Sequence, residues 1–208
     1  GKPMRNVDVK LANDGEIIVR GELLMTGYWN NLAETKKTIV DGWLHTGDIG
    51  EFDAIARIKI TDRKKDIIVL SGGDNVSPAR VEGFLTIQSE IGQAMVIGDK
   101  RPHCTALIVP DDEWLIDFKN DTGKTGTLAD LADDPELHKQ LAVAVSRVNQ
   151  ELSNIEKVRK FAVATAEYTT DNAQLTPSMK VRRHVVKRDY ESVLEALYPA
   201  EKKKTAPV

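Results

Sequence analysis

The sequence predicts an α+β fold in two parts, an antiparallel β segment up to about Lys65 and an α+β unit after it. Three observations carry this expectation. Apolar residues alternate around turn residues near the start, a strand passes through Ser71-Gly72-Gly73 to a helix start at Ser77-Pro78, and a long amphipathic stripe opens at Pro135.

Val7, Val9 and Leu11 point to one face, Asn13-Asp14-Gly15 supplies turn chemistry, and Glu16 leads into Ile17-Ile18-Val19. That pattern predicts a hairpin. Leu32 to Ile39 suits a short surface helix closed by Asp41-Gly42, followed by Trp43-Leu44-His45-Thr46-Gly47-Asp48 and a further strand pair around Arg57 to Ile60. The charged run Asp62-Arg63-Lys64-Lys65-Asp66 is expected to be a pause in solvent. Beyond it, Asp66 to Leu70 reads as a strand, and Ser77 as an N-cap with Pro78 at the first helical position starts a helix to about Gln88. Gln93 to Ile97 and Thr105 to Val109 read as paired strands across the turn from Gly98 to His103. Lys119 to Thr127 is polar and glycine-containing, which predicts a loop. Leu137, Leu141, Val145, Val148 and Leu152 fall at helical intervals. A strand over Phe161 to Thr165, one last helix over Lys187 to Leu197 and a charged tail complete the expectation, with domain limits of 1–65, 66–198 and a flexible 199–208.

At 208 residues, 41% hydrophobic and 29% charged, the chain has the composition of a globular protein with a real core. A net charge of −3 argues against general nucleic-acid binding, so no nucleic-acid partner is expected. The single cysteine, Cys104, excludes an intrachain disulfide framework and reads as a small buried hydrophobe. His45, His103, His138 and His184 lack metal-ligand spacing, so no metal site is expected, and no Gly-X-Ser-X-Gly elbow is present. No apolar run approaches the roughly 20 residues needed to span a bilayer, which makes a cytoplasmic location the expectation, with at most peripheral membrane association. The opening Gly1-Lys2-Pro3, leading at once into strand-like sequence, suggests a piece of something longer.

Four places could carry chemistry. Asp48 follows a glycine at a bend, where a carboxylate can either stabilise the turn or accept ribose hydroxyls. Arg63 offers a planar fork for phosphate or sugar oxygens, or a solvated surface charge. Gly72 and Gly73 could turn backbone amides toward an extended ligand, although neither nucleotide-loop fingerprint is present. Lys180, within Pro177-Ser178-Met179-Lys180-Val181-Arg182-Arg183-His184, is either a functional ammonium or part of a basic face.

Taken in order, these pieces resemble the adenylate-forming superfamily of acyl-CoA synthetases, nonribosomal peptide adenylation domains and luciferases. The resemblance rests on Gly15-Glu16-Ile17-Ile18-Val19-Arg20-Gly21 with Met25-Thr26-Gly27-Tyr28-Trp29, on Asp41-Gly42-Trp43-Leu44-His45-Thr46-Gly47-Asp48, on Asp62-Arg63-Lys64-Lys65-Asp66 with Ser71 to Pro78, and on Leu175-Thr176-Pro177-Ser178-Met179-Lys180. It implies the β-rich end of a large N-terminal domain followed by a small α+β lid domain. It also implies an ATP-dependent ligase that uses Mg2+, forms an acyl-adenylate and passes the acyl group to coenzyme A. On this resemblance Asp48 would bind the ribose, Arg63 would assist on the nucleotide, Lys180 would be the catalytic lysine, Lys65 the hinge, and Gly72-Gly73 would face the coenzyme A pantetheine channel. Met179 before Lys180, with the stretch from Asp111 to Glu156, is similar to bacterial long-chain fatty-acid CoA ligases. Two departures stand out: Met179 where many relatives have glycine, and Asp53-Ala54-Ile55-Ala56-Arg57 where an aspartate-glycine turn is common. The phosphate loop, adenine pocket and acyl pocket belong upstream, so the missing N-terminal domain becomes an expected partner and the fragment is expected to be inactive alone. A relative acting on another acid, or a non-catalytic module with a basic face, remains the alternative.

Overall fold

A computed structural model describes residues 1–199. The expected tail from 199 onward lies outside these residues except for Pro199. The chain divides into two compact units, Gly1–Ile67 and a second beginning at Ile68.

The first unit is a five-stranded antiparallel sheet. Strand β1 (Val7–Leu11) pairs with β2 (Glu16–Gly21) across a turn in which Gly15 donates to the Ala12 carbonyl. Helix α1 (Leu32–Thr38) is capped by the Asn31 side chain on Glu34 N and leads to the short β3 (Ile39–Val40). The long β4 (Trp43–Phe52) is the hub, bonded to β2, β3 and β5 (Ile58–Arg63), giving the order β1-β2-β4-β3 with β5 also on β4. The charged run is not a simple solvent pause. Asp62 and Arg63 belong to β5, and the two-residue period of the strand turns Asp62 inward to 8% exposure while Arg63 and Lys65 face water. Lys64–Asp66 then form a single 3-10 turn.

The second unit opens with a two-stranded hairpin, β6 (Ile68–Val69) and β7 (Asn75–Val76), so the expected strand from Asp66 to Leu70 is cut to its middle. Helix α2 (Pro78–Thr86) starts as expected, with Ser77 Oγ accepting from Arg80 N at 3.2 Å, but stops before Gln88 because the chain must turn into β8 (Ile91–Ile97). β9 (Cys104–Pro110) lies at the centre of a three-stranded sheet, antiparallel to β8 and parallel to β10 (Val158–Val163). All seven residues of β9 are buried, and alternate side chains feed two cores: Cys104, Ala106 and Ile108 one, Leu107 and Val109 the other. β10 begins at Val158 and not at Phe161, because the Asn149 side chain bonds both the N–H and the C=O of Val158 at 2.9 Å and fixes the strand entry.

Two further expectations need correction. Lys119 to Thr127 is not one loop: α3 (Asp112–Thr122) runs into it, ends at left-handed Gly123, and α4 (Leu128–Leu131) follows. The polar residues there form the outer face of a helix whose Leu115 and Phe118 are buried, and the Asp111 carboxylate caps Glu113 N and Trp114 N. The final helix from Lys187 to Leu197 is two helices, α6 (Arg183–Asp189) and α7 (Glu191–Ala196), broken at Tyr190. Val186, Tyr190 and Leu194 fall at four-residue intervals, and all three reach the same core cluster despite the break. The amphipathic helix α5 (Pro135–Glu151) is as expected, with Leu137, Leu141, Val145 and Val148 buried.

Candidate active site

Asp48 and Arg63 sit directly opposite each other on β4 and β5, and Arg63 Nε lies 2.9 Å from Asp48 Oδ1. The sheet register therefore brings together two residues that the sequence separates. Asp48 Oδ2 has no hydrogen-bond partner among the described residues, so one carboxylate oxygen of a one-quarter-exposed side chain is left to accept from a ligand hydroxyl. The guanidinium beside it is half-exposed and keeps further donors.

The position of Asp48 depends on an irregularity in β4. Glu16 pairs with Ile49 but Ile18 pairs with His45, so two extra residues are accommodated on β4 between those pairs. Gly47 takes φ +72°, a conformation that side chains other than glycine rarely adopt, and Asp48 N–H turns to Thr46 Oγ1 at 3.1 Å. The Gly47 amide, which the bulge removes from the ladder, donates to Glu16 Oε1 at 2.9 Å.

Glu16 is the residue that sequence reasoning missed. Its carboxylate is only 3% exposed, and besides Gly47 it meets His45 Nδ1 at 2.8 Å and Lys64 Nζ at 2.9 Å. Lys64 Nζ also lies 2.7 Å from Asp14 Oδ2. Burial alone would raise the Glu16 carboxyl, but the bonds from His45, Lys64 and Gly47 together hold it below its ordinary value. Bonding to Asp14 and then Glu16 raises Lys64. A faint signal was available: Glu16 is an acid placed directly against three consecutive apolar residues, on a strand whose burial leaves no room for an unpaired charge.

In the second unit, Gly72 and Gly73 form the exposed tip of the β6–β7 hairpin. Gly73 N–H bonds the Leu70 carbonyl at 2.8 Å, and Leu70 N–H bonds the Asp74 carbonyl at 2.9 Å. The glycines thus join two strands, not a strand to a helix. Lys180 stands on a tight loop closed by a bridge between Leu175 and Val181. Thr176 closes it: its N–H donates to the Lys180 carbonyl at 2.8 Å, its Oγ1 accepts from Lys180 N–H at 3.0 Å, and its carbonyl accepts from Met179 N–H at 2.8 Å. Leu175 roots the loop in the core, and Gln174 Nε2 bonds Asp189 Oδ2 at 3.0 Å. Past the loop, Arg183 bonds Glu82 Oε2 at 2.5 Å and the Val96 carbonyl at 3.2 Å, tying the start of α6 to α2 and β8. The Lys180 side chain is exposed, and its ammonium has no partner among the described residues.

Lys65 is exposed in the 3-10 turn just before the division between units. Cys104 is fully buried, its thiol pushed up to about 11 by burial and then by the Glu156 charge, which makes it inert packing.

The family model of the AMP-binding enzyme C-terminal domain matches residues 65–202. The chain belongs to that family. Among curated relatives of this AMP-binding C-terminal domain, the long-chain-fatty-acid–CoA ligase FadD15 of Mycobacterium tuberculosis is 41% identical over 97% of the chain. The chain spans about a third of the length of that relative, 34%. Among solved structures, the adenylation domain of a carboxylate reductase from Mycobacterium chelonae aligns with TM-score 0.76 at 24% identity, over 94% of this chain and 31% of that one. That likeness establishes the fold. The O-succinylbenzoate coenzyme A synthetase of Bacillus subtilis, in complex with ATP and magnesium ion, aligns with TM-score 0.62 at 26% identity, over 88% of this chain and 34% of that one.

Both departures from the superfamily's glycine pattern fall on left-handed backbone. Ala56 has φ +58° and Met179 φ +59°, so each turn keeps the conformation a glycine would take and carries the strain of a side chain there.

Proposed function

We propose that the chain is the C-terminal third of an AMP-forming long-chain fatty-acid CoA ligase. The 41% identity to a ligase of that name over nearly the whole chain carries this reading. In it, residues 1–65 close the larger adenylation domain, residues 66–198 form the lid, and the remaining substrate-binding surfaces come from upstream sequence. The substrates are a fatty acid, ATP with Mg2+, and coenzyme A, and the setting is cytoplasmic. Among the described residues no helix is long and apolar enough to cross a membrane.

The fatty-acid carboxylate attacks the α-phosphorus of ATP, an acyl–phosphate bond forms, and pyrophosphate leaves. The coenzyme A thiolate then attacks the acyl carbon and AMP leaves. Asp48 accepts the ribose hydroxyls through its unpartnered Oδ2, and Arg63 fixes the other carboxylate oxygen while offering donors to the nucleotide. Lys180, with its unpaired ammonium on a loop that Thr176 holds closed, neutralises charge gathering on the carboxylate and phosphate oxygens in the first step. Lys65 is the pivot on which the lid turns between steps, and its place in a solvated turn without a packed side chain suits a torsion change. The exposed tip at Gly72-Gly73 faces the thiol channel in the second step, where the lack of side chains admits an extended pantetheine arm.

The test is Lys180→Ala in the full-length enzyme. Adenylation, followed as pyrophosphate release, is expected to fall by at least a hundredfold, while thioester formation from a supplied acyl-adenylate stays within a few-fold of normal. Retention of full adenylation would remove Lys180 from the mechanism.

A further inference from the structure

The buried carboxylate of Glu16 has three partners in the first unit, and the proposed chemistry does not use it. Two separate elements converge on it from outside β2: β4, through the bulged Gly47 amide and His45, and the turn that follows β5, through Lys64. Gly47 immediately precedes Asp48, and Lys64 immediately follows Arg63. One carboxylate therefore grips both strands beside the Asp48–Arg63 pair. The grip replaces something the sheet cannot provide. At the bulge, the Gly47 N–H has no partner on the β2 backbone, and a left-handed residue flanked by an unsatisfied amide would be free to shift.

We infer that Glu16 is a positioning residue for nucleotide binding: it fixes the Gly47 bulge, and so aims the Asp48 carboxylate at the ribose. Lys64 holds the carboxylate in place, with Asp14 on its far side. This rests on the reading of Asp48 as the ribose ligand. A displacement of about 1 Å at Asp48 is enough to lose paired bonds to two hydroxyls.

The experiment uses the full-length enzyme with ATP and 3′-deoxyATP, and the variants Glu16→Gln, Lys64→Met, Asp48→Asn and the double variant Glu16→Gln/Asp48→Asn. Glu16→Gln is expected to raise KM for ATP about tenfold, with kcat and the fatty-acid KM within about twofold. Lys64→Met, at a half-exposed position that leaves no buried vacancy, is expected to give about threefold in the same direction, and it carries the test if Glu16→Gln does not fold. The penalty for 3′-deoxyATP should shrink in Glu16→Gln, and the double variant should be no worse than Asp48→Asn alone, because both act through one contact. Additive penalties would assign Glu16 to structure only and overturn the inference while leaving Asp48 in place. An Asp48→Asn enzyme with unchanged ATP KM would instead remove the ribose reading on which the inference stands.

Discussion

At the residue scale, the most telling feature is where non-glycine residues occupy glycine geometry. Ala56 and Met179 each sit at φ near +60°, where the β-carbon crowds the following carbonyl at a cost of roughly 1 kcal/mol. Asn6, Asn30 and Asp41 share the region, but their short polar side chains tolerate it better. Ala56→Gly should therefore raise the unfolding free energy of the first unit, and Met179→Gly that of the second, each by about 0.5 kcal/mol net of the extra unfolded-state freedom of glycine, read as a higher urea midpoint. A lowered midpoint would mean that the turns are not left-handed in solution. Two transitions, each followed by its own probe, are the proper readout, since a chain of two units need not unfold in one step.

At the element scale, β4 shows how a strand can be bent to a purpose without losing its place in a sheet. Its bulge is stabilised by side chains from β2 and from the turn after β5, and that makes the region sensitive to pH in a defined way. Asp14 and Glu16 are held below their ordinary values, so the stability they confer is complete above about pH 4.5 and is lost as pH falls through their depressed folded values. Lys64 is held above its ordinary 10.5, so its contribution is complete below that pH and is lost as pH rises through the raised folded value. The first unit should accordingly lose stability at both extremes, and Lys64→Met should abolish the alkaline loss and shrink the acid one. Urea midpoints measured across pH for the two proteins check this. Identical profiles would show that other groups titrate there.

At the scale of the whole molecule, burial is unequal. The second unit has core on both faces of its central strand, and its exposed apolar side chains such as Ile87, Ile116 and Met179 are scattered, whereas the first exposes Leu23 at 68%, Trp29 at 92% and Leu32 at 76% within ten residues. Isolated apolar side chains at a surface are ordinary, but several large ones within one short segment suit a face that other protein covers. The chain spans 34% of the length of its ligase relative, and in the proposed function the phosphate loop belongs to the remainder. The isolated chain is therefore expected to release no pyrophosphate from ATP with Mg2+ and palmitate above the rate without protein. Turnover by the purified chain would sink that expectation.

Much of this was legible in the residues themselves. Period-two alternation marked β1 and β2, the Ser77-Pro78 pair marked the start of α2, and the stripe from Leu137 marked α5, because each is a local rule acting within a few residues. The motif order likewise marks the AMP-binding family. Tertiary structure decided what depends on partners distant in sequence. Helix α3 was hidden in a polar stretch because only packing of Leu115 and Phe118 reveals its inner face, and the break at Tyr190 leaves no mark in an apolar spacing that stays helical across it. Asp62 turned inward because β5 has a fixed register on β4. Above all, the sequence names Asp48 and Arg63 but not Glu16, since a carboxylate reveals its role only when His45 and Lys64, 29 and 48 positions further along, have folded against it.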